Sequence, residues 1–298
     1  MTKGLKATDF DDWKKAGKIT AECLEFGRNL IKPGVRLLEV AEKIEARIRK
    51  MGAEPAFPVN ISMNEVAAHY TPSKDDETIF KDQLVKLDIG AVFNGAIGDS
   101  ACTFDLSGGR FTSLVQASID ALDAVIKMAR PGVQLREIGA AINEAIASYG
   151  FKPIRNLSGH QLEKHKLHAG LTTPNFDNND ETELEEGMFL AIEPFATDGA
   201  GLIQETANAQ IFMLEGPARV RSVFGRKVLE EIKLFQGLPF AKRWLKEKGI
   251  DFGLREIKQT GMLHEYPPLA EVNKGVVSQA EHTVYIDKDK CMVLTKKD

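Results

Sequence analysis

The sequence predicts an α+β fold built from two duplicated halves, with a helical insertion in the second half. The segment Pro33–Glu39 recurs ninety-eight positions later as Pro131–Glu137, and nine identities fall in register across twenty-three positions. Two copies separated by this distance indicate a duplicated half-domain, because a solenoid needs three or more short repeats. Pro-Gly connectors between helices are common, so a chance match is the alternative interpretation.

Each copy of the repeat predicts a pair of helices. The first helix spans Phe10–Ile31 in one copy and Thr112–Ala129 in the other, and each leads into a Pro-Gly turn. Apolar residues at i, i+3 and i+4 spacing then predict a second helix, which ends at Gly52 in one copy and at Gly150 in the other.

Strand-like segments follow the helical pairs and predict the sheet that each half contributes. They combine apolar runs with apolar-polar alternation, which is typical of buried and half-buried strands. The predicted strands are Leu84–Gly90, Ala96–Phe104, Met188–Phe195, Gly201–Met213, His282–Asp287 and Cys291–Thr295. We expect the last two to form a closing hairpin.

A locally basic block at residues 220–263 predicts a helical insertion within one domain that spans residues 1–298. Short amphipathic helices are predicted at Val223–Lys233 and Leu238–Leu245, and the segment Gly253–Lys258 follows them. The basic charge favours a solvated face, and contact with nucleic acid or the ribosome is the alternative.

Composition and charge exclude several classes of protein. With 298 residues and 43% hydrophobic content the chain can bury a substantial core, and a formal net charge of -4 gives no global attraction to nucleic acid or anionic membranes. Cys23, Cys102 and Cys291 show no CxxC spacing and are expected as reduced thiols. Residues 1–9 lack a signal-peptide pattern, and no uncharged run could span a bilayer. We therefore expect a cytoplasmic protein and, because no heptad seam is evident, a monomer.

Four carboxylates and one imidazole occupy or flank strand-like segments: Asp88, Asp99, Glu193, Glu281 and His160. Burying unpaired charges is costly, so cations are expected to neutralise these acids. Carboxylate oxygens with one imidazole suit two divalent metals that share bridging carboxylates, and such a pair indicates hydrolysis. Taken singly, each acid could instead form a structural salt bridge, and His160 could be a core histidine.

The motifs around these residues match a known family along nearly the whole chain. Lys86–Gly90 with Asp99, Ser158–His160, His168–Gly170, Ala191–Pro194 and Gln279–His282 resemble the methionine aminopeptidases. Their duplicated fold, the pita-bread fold with pseudo-twofold symmetry, is shared with creatinase and prolidase. Ala56–Pro58, Ala67–Pro72, Tyr266–Leu269 and the helical insertion resemble the type 2 branch. The first helix begins almost at once, as in the short archaeal form.

The resemblance implies a role for each of the five candidate ligands. Asp88 would bind one metal, Asp99 and Glu281 would bridge both, and His160 and Glu193 would complete the second site. The two divalent ions would be Co, Mn, Fe or Zn. Glu193 would also transfer a proton from the attacking water to the leaving amine.

The resemblance also implies residues that contact the substrate. His69 would contact the scissile amide and His168 would stabilise the developing oxyanion, although His69 could equally be exposed and idle. An apolar methionine pocket would be lined or bordered by Phe57, Pro58, Leu167 and Tyr266. The alternatives are that Phe57 and Leu167 are plain core and that Tyr266 caps the insertion.

The implied function is cotranslational removal of initiator methionine from nascent proteins whose second residue is small. The implied partners are nascent N-termini that begin with Met, while contact with the ribosome stays open. One alternative is a non-catalytic nucleic-acid-binding or ribosome-binding protein on the same fold, and a second is an Xaa-Pro-directed peptidase. The binding proteins lack metal ligands that this chain retains, and the Xaa-Pro peptidases carry an additional N-terminal domain.

Overall fold

The structure, a computed structural model, describes residues 7–296. The segment 1–9 that we read for a signal peptide therefore lies largely outside the described residues. The α-helices within them are α1 (Ala7–Leu30), α2 (Leu37–Lys50), α3 (Thr112–Met128), α4 (Leu135–Ser148), α5 (Val223–Lys233) and α6 (Ile250–Lys258). The strands are β1 (Glu54–Met63), β2 (Val66–Ala68), β3 (Leu84–Phe93), β4 (Ala96–Asp105), β5 (Lys152–Pro153), β6 (Ser158–Leu162), β7 (Thr172–Pro174), β8 (Phe189–Ile192), β9 (Phe195–Thr197), β10 (Ile203–Glu205), β11 (Ile211–Leu214), β12 (Phe240–Ala241), β13 (Leu263–Tyr266), β14 (Leu269–Glu271), β15 (Val277–Gln279), β16 (His282–Ile286) and β17 (Cys291–Val293).

The helices reproduce the sequence repeat. Helices α2 and α4 have the same length, 14 residues, and begin and end at equivalent positions of the two copies. Gly34 and Gly132 precede them with φ of 88° and 86°, a left-handed conformation that glycine adopts without a Cβ penalty. The Gly34 amide donates to the carbonyl of Phe80, and the Gly132 amide donates to that of Leu184. The predicted duplication is confirmed at the level of individual backbone hydrogen bonds.

Each half packs its helical pair against its own antiparallel sheet. The first sheet has the order β1-β3-β4, and the second has the order β17-β16-β8-β6-β7. Ile44 of α2 packs in one core with Leu87 of β3, and Ile142 of α4 packs in another with Leu190 of β8. Burying each such side chain contributes roughly 1.5–3 kcal/mol relative to leaving it exposed. The predicted α+β class is therefore confirmed.

The two halves meet where β4 runs beside β16. The hydroxyl of Thr283 accepts from the Asp99 amide at 2.7 Å and donates to the Asp99 carbonyl at 2.9 Å. The hydroxyl of Ser100 donates to the Glu281 carbonyl at 2.7 Å, and the Glu281 amide donates to the Ala101 carbonyl at 3.0 Å. These bonds fix the main chain of Asp99 beside that of Glu281, one residue from each half.

The segment predicted as a helical insertion, residues 220–263, is only partly helical. Helix α5 confirms the helix predicted at Val223–Lys233, and α6 contains the segment Gly253–Lys258. The helix predicted over Leu238–Leu245 is wrong, because this segment forms β12 and a 3₁₀ turn at Lys242–Trp244. Pro239 restricts Leu238 to extended conformations, and the buried Phe240 pairs with Phe212 of β11.

Two predicted strands are interrupted. Met188–Phe195 divides into β8 and β9 at Glu193 and Pro194, and a proline has no amide to donate to a ladder. The continuous strand predicted over Gly201–Met213 is wrong, because β10 pairs with β14 whereas β11 pairs with β12 and β13 in another sheet. The closing hairpin is confirmed by the pairing of Ile286 with Cys291.

The described residues bear on two further expectations, the state of the cysteines and the absence of a membrane-spanning helix. Cys23, Cys102 and Cys291 are free thiols, as expected. None of the helices within residues 7–296 has the length and apolar character needed to cross a membrane.

Candidate active site

The β3–β4 hairpin places two of the candidate ligands on one face. Gly90 pairs with Asp99, and Asp88 pairs with Ala101. Side chains two residues apart on a strand point to the same side, so the carboxylates of Asp88 and Asp99 are diagonal neighbours across the ladder. The spacing of eleven positions in the sequence is therefore the spacing of a tight hairpin.

Gly90 leaves room for the carboxylate of Asp99. A Cβ atom built there would lie 3.3 Å from Oδ1 of Asp99 and 3.1 Å from Cβ of Ala56.

We predict that Gly90→Ala displaces the Asp99 carboxylate and weakens metal affinity by about tenfold, as changes that misorient a ligand do. Titration of metal-free protein with Mn²⁺ or Co²⁺ measures this effect. Unchanged affinity in a variant with a native circular dichroism spectrum would contradict the prediction.

The second half presents its ligands in a matching way. His160 on β6 pairs with Ala191 on β8, and Glu193 lies two residues beyond Ala191, just after the end of β8. The antiparallel pairing of β16 with β8 brings Glu281, just before β16, opposite Glu193. Three candidate ligands of the second half thus lie on or beside the neighbouring strands β6, β8 and β16 of the five-stranded sheet.

The ligands of both halves converge in space. Nε2 of His160 lies 3.7 Å from Oδ2 of Asp99 and 3.7 Å from Oε1 of Glu193. Ligand atoms of Asp99, His160 and Glu281 lie within 4.8 Å of one another, and all three residues are buried. Asp88 and Glu193 are joined by Gln279, whose Nε2 donates to Oδ2 of Asp88 at 3.2 Å and to Oε2 of Glu193 at 3.4 Å.

Burial and mutual repulsion favour the protonated form of the carboxyl groups. Burial raises the pKa of Asp88, and burial together with Asp88 raises the pKa of Asp99. The pKa of Glu193 is raised by burial and by Asp88 and Asp99. The pKa of Glu281 is raised by burial, then by Asp99, Asp88 and Glu193. These shifts show a site that lacks enough positive charge of its own.

The imidazoles do not supply that charge. Burial, followed by the neighbouring His168, lowers the pKa of His160 to about 3, so its ring is neutral at pH 7. The contacts of His160 with Asp99 and Glu193 are therefore not ion pairs, and 3.7 Å is too long for a hydrogen bond. A neutral imidazole is the form that ligates a metal.

The donor set fits divalent metals. Two atoms that bind one ion at about 2.1 Å lie roughly 3–4 Å apart, close to the separations between His160 and its two carboxylates. Among the described residues, Oε2 of Glu281 is buried and receives no hydrogen bond. A buried carboxylate oxygen without a donor is costly, and coordination to a cation would satisfy it.

Comparison with known proteins identifies the family. Residues 11–234 match the profile described as Metallopeptidase family M24. The chain is 46% identical to the methionine aminopeptidase of Pyrococcus abyssi, over 97% of this chain and 100% of that protein. It is also 46% identical to the methionine aminopeptidase of Archaeoglobus fulgidus, over 95% of this chain and 97% of that protein. This chain belongs to metallopeptidase family M24.

Solved structures of other proteins share the fold of this M24 protein. A methionine aminopeptidase from Thermotoga maritima superposes with a TM-score of 0.72 at 25% identity, and the match covers 100% of both chains. A thermophilic Arx1 superposes with a TM-score of 0.89 at 17% identity, over 99% of this chain and 92% of that one. The Arx1 likeness concerns the fold alone.

A cavity of about 330 Å³ opens beside the carboxylates of this M24 protein. His69 and His168 both line it. His69 follows β2 with φ of 65°, a left-handed conformation that is uncommon for a residue with a Cβ. Burial, then His168, lowers the pKa of His69 to about 4, and partial desolvation, then His264, lowers that of His168 to about 4. His69 is therefore not exposed, and its contact with substrate stays a prediction.

The predicted methionine-pocket residues divide into two groups. Phe57 and Leu167 are buried and line the cavity. Tyr266 packs edge-on against Phe57 at 5.2 Å and against His69 at 5.4 Å between ring centroids. Pro58 is buried next to Phe57, and its carbonyl accepts from Nδ2 of Asn60 at 2.6 Å. Its place at the border of the pocket stays a prediction.

The sequence reasoning missed several polar residues around the ligands. Gln279 belongs to the motif Gln279–His282, but the sequence does not predict its hydrogen bonds to Asp88 and Glu193. Asn60 and Asn156 also line the cavity. The position of Gln279 two residues before Glu281 on an extended segment was the available signal, because alternate side chains share a face.

Proposed function

We propose that this protein is a type 2 methionine aminopeptidase that uses two divalent ions to remove initiator methionine from nascent proteins. The observation that carries the proposal is the convergence of Asp99 from one half with His160 and Glu281 from the other in a buried cluster. Family membership and relatives named methionine aminopeptidases support the same reaction class.

The proposal assigns the five candidate ligands to two ions. Asp88 would hold one ion and His160 and Glu193 the other, with Asp99 and Glu281 as further ligands of the pair. Co, Mn, Fe and Zn all suit this mixture of oxygen and nitrogen donors. When bound, two such ions supply Lewis-acid polarisation of the scissile carbonyl and activation of the attacking water.

Glu193 is proposed as the group that moves the proton. Its carboxylate stands at the cavity wall, and burial together with Asp88 and Asp99 raises its pKa. A carboxyl whose protonated form is favoured can accept a proton from water and deliver it to the leaving amine.

His69 and His168 are proposed to act on the peptide group as neutral donors. With pKa values lowered to about 4, both rings are neutral at pH 7 and each carries one N–H. The proposal assigns His69 to the scissile amide and His168 to the carbonyl oxygen. A donor aimed at a developing oxyanion contributes about 10²–10³ in rate.

The side chain of methionine is proposed to enter the apolar wall formed by Phe57, Leu167 and Tyr266. The rings of Phe57 and Tyr266 meet edge to face, so a thioether could contact both of them. Such sulfur-aromatic contacts contribute about 0.3–1.5 kcal/mol each. A pocket of this kind rejects larger side chains sterically and distinguishes one methylene by only about 1–3 kcal/mol.

We extend the proposal to the setting of the reaction. The substrates would be N-termini of nascent chains in the cytoplasm, and the protein would act as a monomer. The exposed side chains of Phe224 and Phe252 on the basic insertion leave a ribosome contact open as a further proposal.

The test is release of free methionine from Met-Ala-Ser peptides by protein loaded separately with Mn, Fe, Co or Zn. We expect turnover with at least one metal and little hydrolysis of Xaa-Pro dipeptides at the same enzyme concentration. Absence of turnover with all four metals would count against the proposal. Preferential cleavage of Xaa-Pro would favour the proline-directed alternative, and absence of stoichiometric metal binding would favour a non-catalytic binding protein.

A further inference from the structure

A buried ion pair fastens the insertion to the first half of the molecule. Arg243 of the 3₁₀ turn donates from one guanidinium nitrogen to Oε1 of Glu45 on α2, and both side chains are 3% exposed. The indole Nε1 of Trp244 donates to the other oxygen of Glu45 at 2.8 Å. The Val59 amide donates to Oε1 of Glu45 at 3.3 Å. Two adjacent residues of the insertion and one residue of β1 thus donate to one carboxylate of α2.

The same guanidinium reaches the segment that carries His69. Its second terminal nitrogen donates to the hydroxyl of Thr71 at 2.7 Å and to the carbonyl of Pro72 at 3.2 Å. The Thr71 hydroxyl in turn donates to the carbonyl of Val59 at 2.8 Å. Arg243 is therefore bonded to the chain two and three residues beyond His69.

This fastening matters because His69 adopts a strained conformation. A non-glycine residue with φ of 65° persists only where the surrounding structure holds it. On one side His69 is preceded by β2, where Ala68 pairs with Leu269 of β14. On the other side, the Tyr70 carbonyl accepts from the Ile61 amide, and the next residue is Thr71, held by Arg243.

We propose that Arg243 is a positioning residue that acts through Thr71 to hold the imidazole of His69 in the active-site cavity. The proposal rests on the proposed function in assigning His69 a contact with the substrate. It makes the insertion part of the active site's support, because Arg243 belongs to the insertion whereas Thr71 belongs to the first half.

The variant Thr71→Val tests the proposal without breaking the buried ion pair. Valine keeps the shape of threonine but neither accepts from Arg243 nor donates to Val59. We expect kcat for Met-Ala-Ser to fall by about tenfold, with KM changed less, because a small misplacement of a reacting group carries a cost of this order or more. Thr71→Ser restores the hydroxyl and should recover most of the rate.

Two further variants separate positioning from general stability. Arg243→Lys keeps the charge but cannot reach Glu45, Thr71 and Pro72 together, so kcat should fall at least as far as in Thr71→Val. Trp244→Phe removes the indole donor to Glu45 and leaves the Arg243 contacts with Thr71 intact, so kcat should stay within about twofold. If Arg243→Lys does not fold, the comparison of Thr71→Val with Thr71→Ser decides.

Coupling to His69 is the decisive measurement. In a His69→Ala background, Thr71→Val should cause little further loss of kcat, because residues that act as one unit are non-additive. A full additional tenfold loss in that background would overturn the proposal, and so would wild-type kcat in Thr71→Val.

Amide hydrogen exchange of residues 69–72 gives a readout that does not depend on activity, and Thr71→Val should accelerate it. An inactive wild-type protein would refute the proposed function, while the exchange data would still test the fastening.

Discussion

Replacing Glu193 with glutamine should reduce methionine release by about 10²–10⁴-fold, the range for loss of a general acid–base group. Glutamine preserves the size of the side chain but cannot take up a proton from water at neutral pH. Part of the loss should come from weaker metal binding, because Oε1 of Glu193 lies 3.7 Å from Nε2 of His160, at a separation suited to a shared ion. Steady-state kinetics with metal content measured on the same samples separates the two effects.

The control for this variant is Glu186→Gln, which makes the same chemical change at an exposed position. Its activity and metal content should match those of the unmodified protein. If Glu193→Gln retains normal turnover with both ions bound, Glu193 has no part in proton transfer. If turnover is lost only because one ion is missing, and excess metal restores it, Glu193 is a ligand alone.

The duplicated helices were predictable because their determinants are local. A Pro-Gly turn, apolar spacing near 3.6 residues and a glycine stop define α2 and α4, and the structure gives these helices equal lengths. The segment Leu238–Leu245 failed for the opposite reason. Its amphipathic pattern is short, and pairing of Phe240 with Phe212 in a distant strand determines its conformation. Tertiary contacts override local pattern where the local signal is weak.

The candidate ligands were recognisable because acids are rare in strands that are otherwise apolar. Asp88, Asp99 and Glu193 each interrupt or end an aliphatic run, and the expense of burying them points to cations. Gln279 is uncharged, so burying it does not point to cations, and its only signal in the sequence is its place two residues before Glu281. Its role depends on a register between β15 and the ligand strands that only the folded chain supplies.

The residues that hold the active site in place, such as Arg243 and Glu45, were the hardest to predict from the sequence. Arg243 and Glu45 lie almost two hundred positions apart and form a buried pair, whereas most surface charges in the chain are solvated. The basic character of the insertion favoured a solvated face, and for Arg243 that interpretation is wrong. Pairwise contacts of this kind leave no periodicity, spacing or composition in a single sequence.

The metal-free protein should bind divalent ions more tightly as the pH rises from 6 to 8, with release of protons. Burial raises the pKa of Asp88 to about 6, and it raises the pKa values of Asp99, Glu193 and Glu281 well above their ordinary values. Ligand carboxyls that hold protons must release them before a metal can bind, so protons and metal compete. Calorimetry in buffers with different ionisation enthalpies counts the protons, and Asp99→Asn should reduce their number.

The same shifts fix how stability depends on pH. Because the folded-state pKa values of the carboxyls exceed the unfolded values of 3.8 and 4.5, the folded protein binds more protons. Their contribution is present in full below those unfolded values and is lost as the pH rises through the folded ones. His69 and Lys86, whose pKa values are lowered to about 4 and about 7, oppose this trend.

The difference in stability between metal-loaded and metal-free protein separates these contributions. His69 and Lys86 are not proposed ligands, so their effects are common to both forms and cancel. The free energy of unfolding gained on adding Mn²⁺ should therefore grow between pH 6 and pH 8, by roughly 1.4 kcal/mol per pH unit for each proton released, and the rise in melting temperature should grow with it. A gain that is constant with pH would mean that the carboxyls are already ionised in the metal-free protein. Some positive charge other than the bound ions would then have to neutralise them.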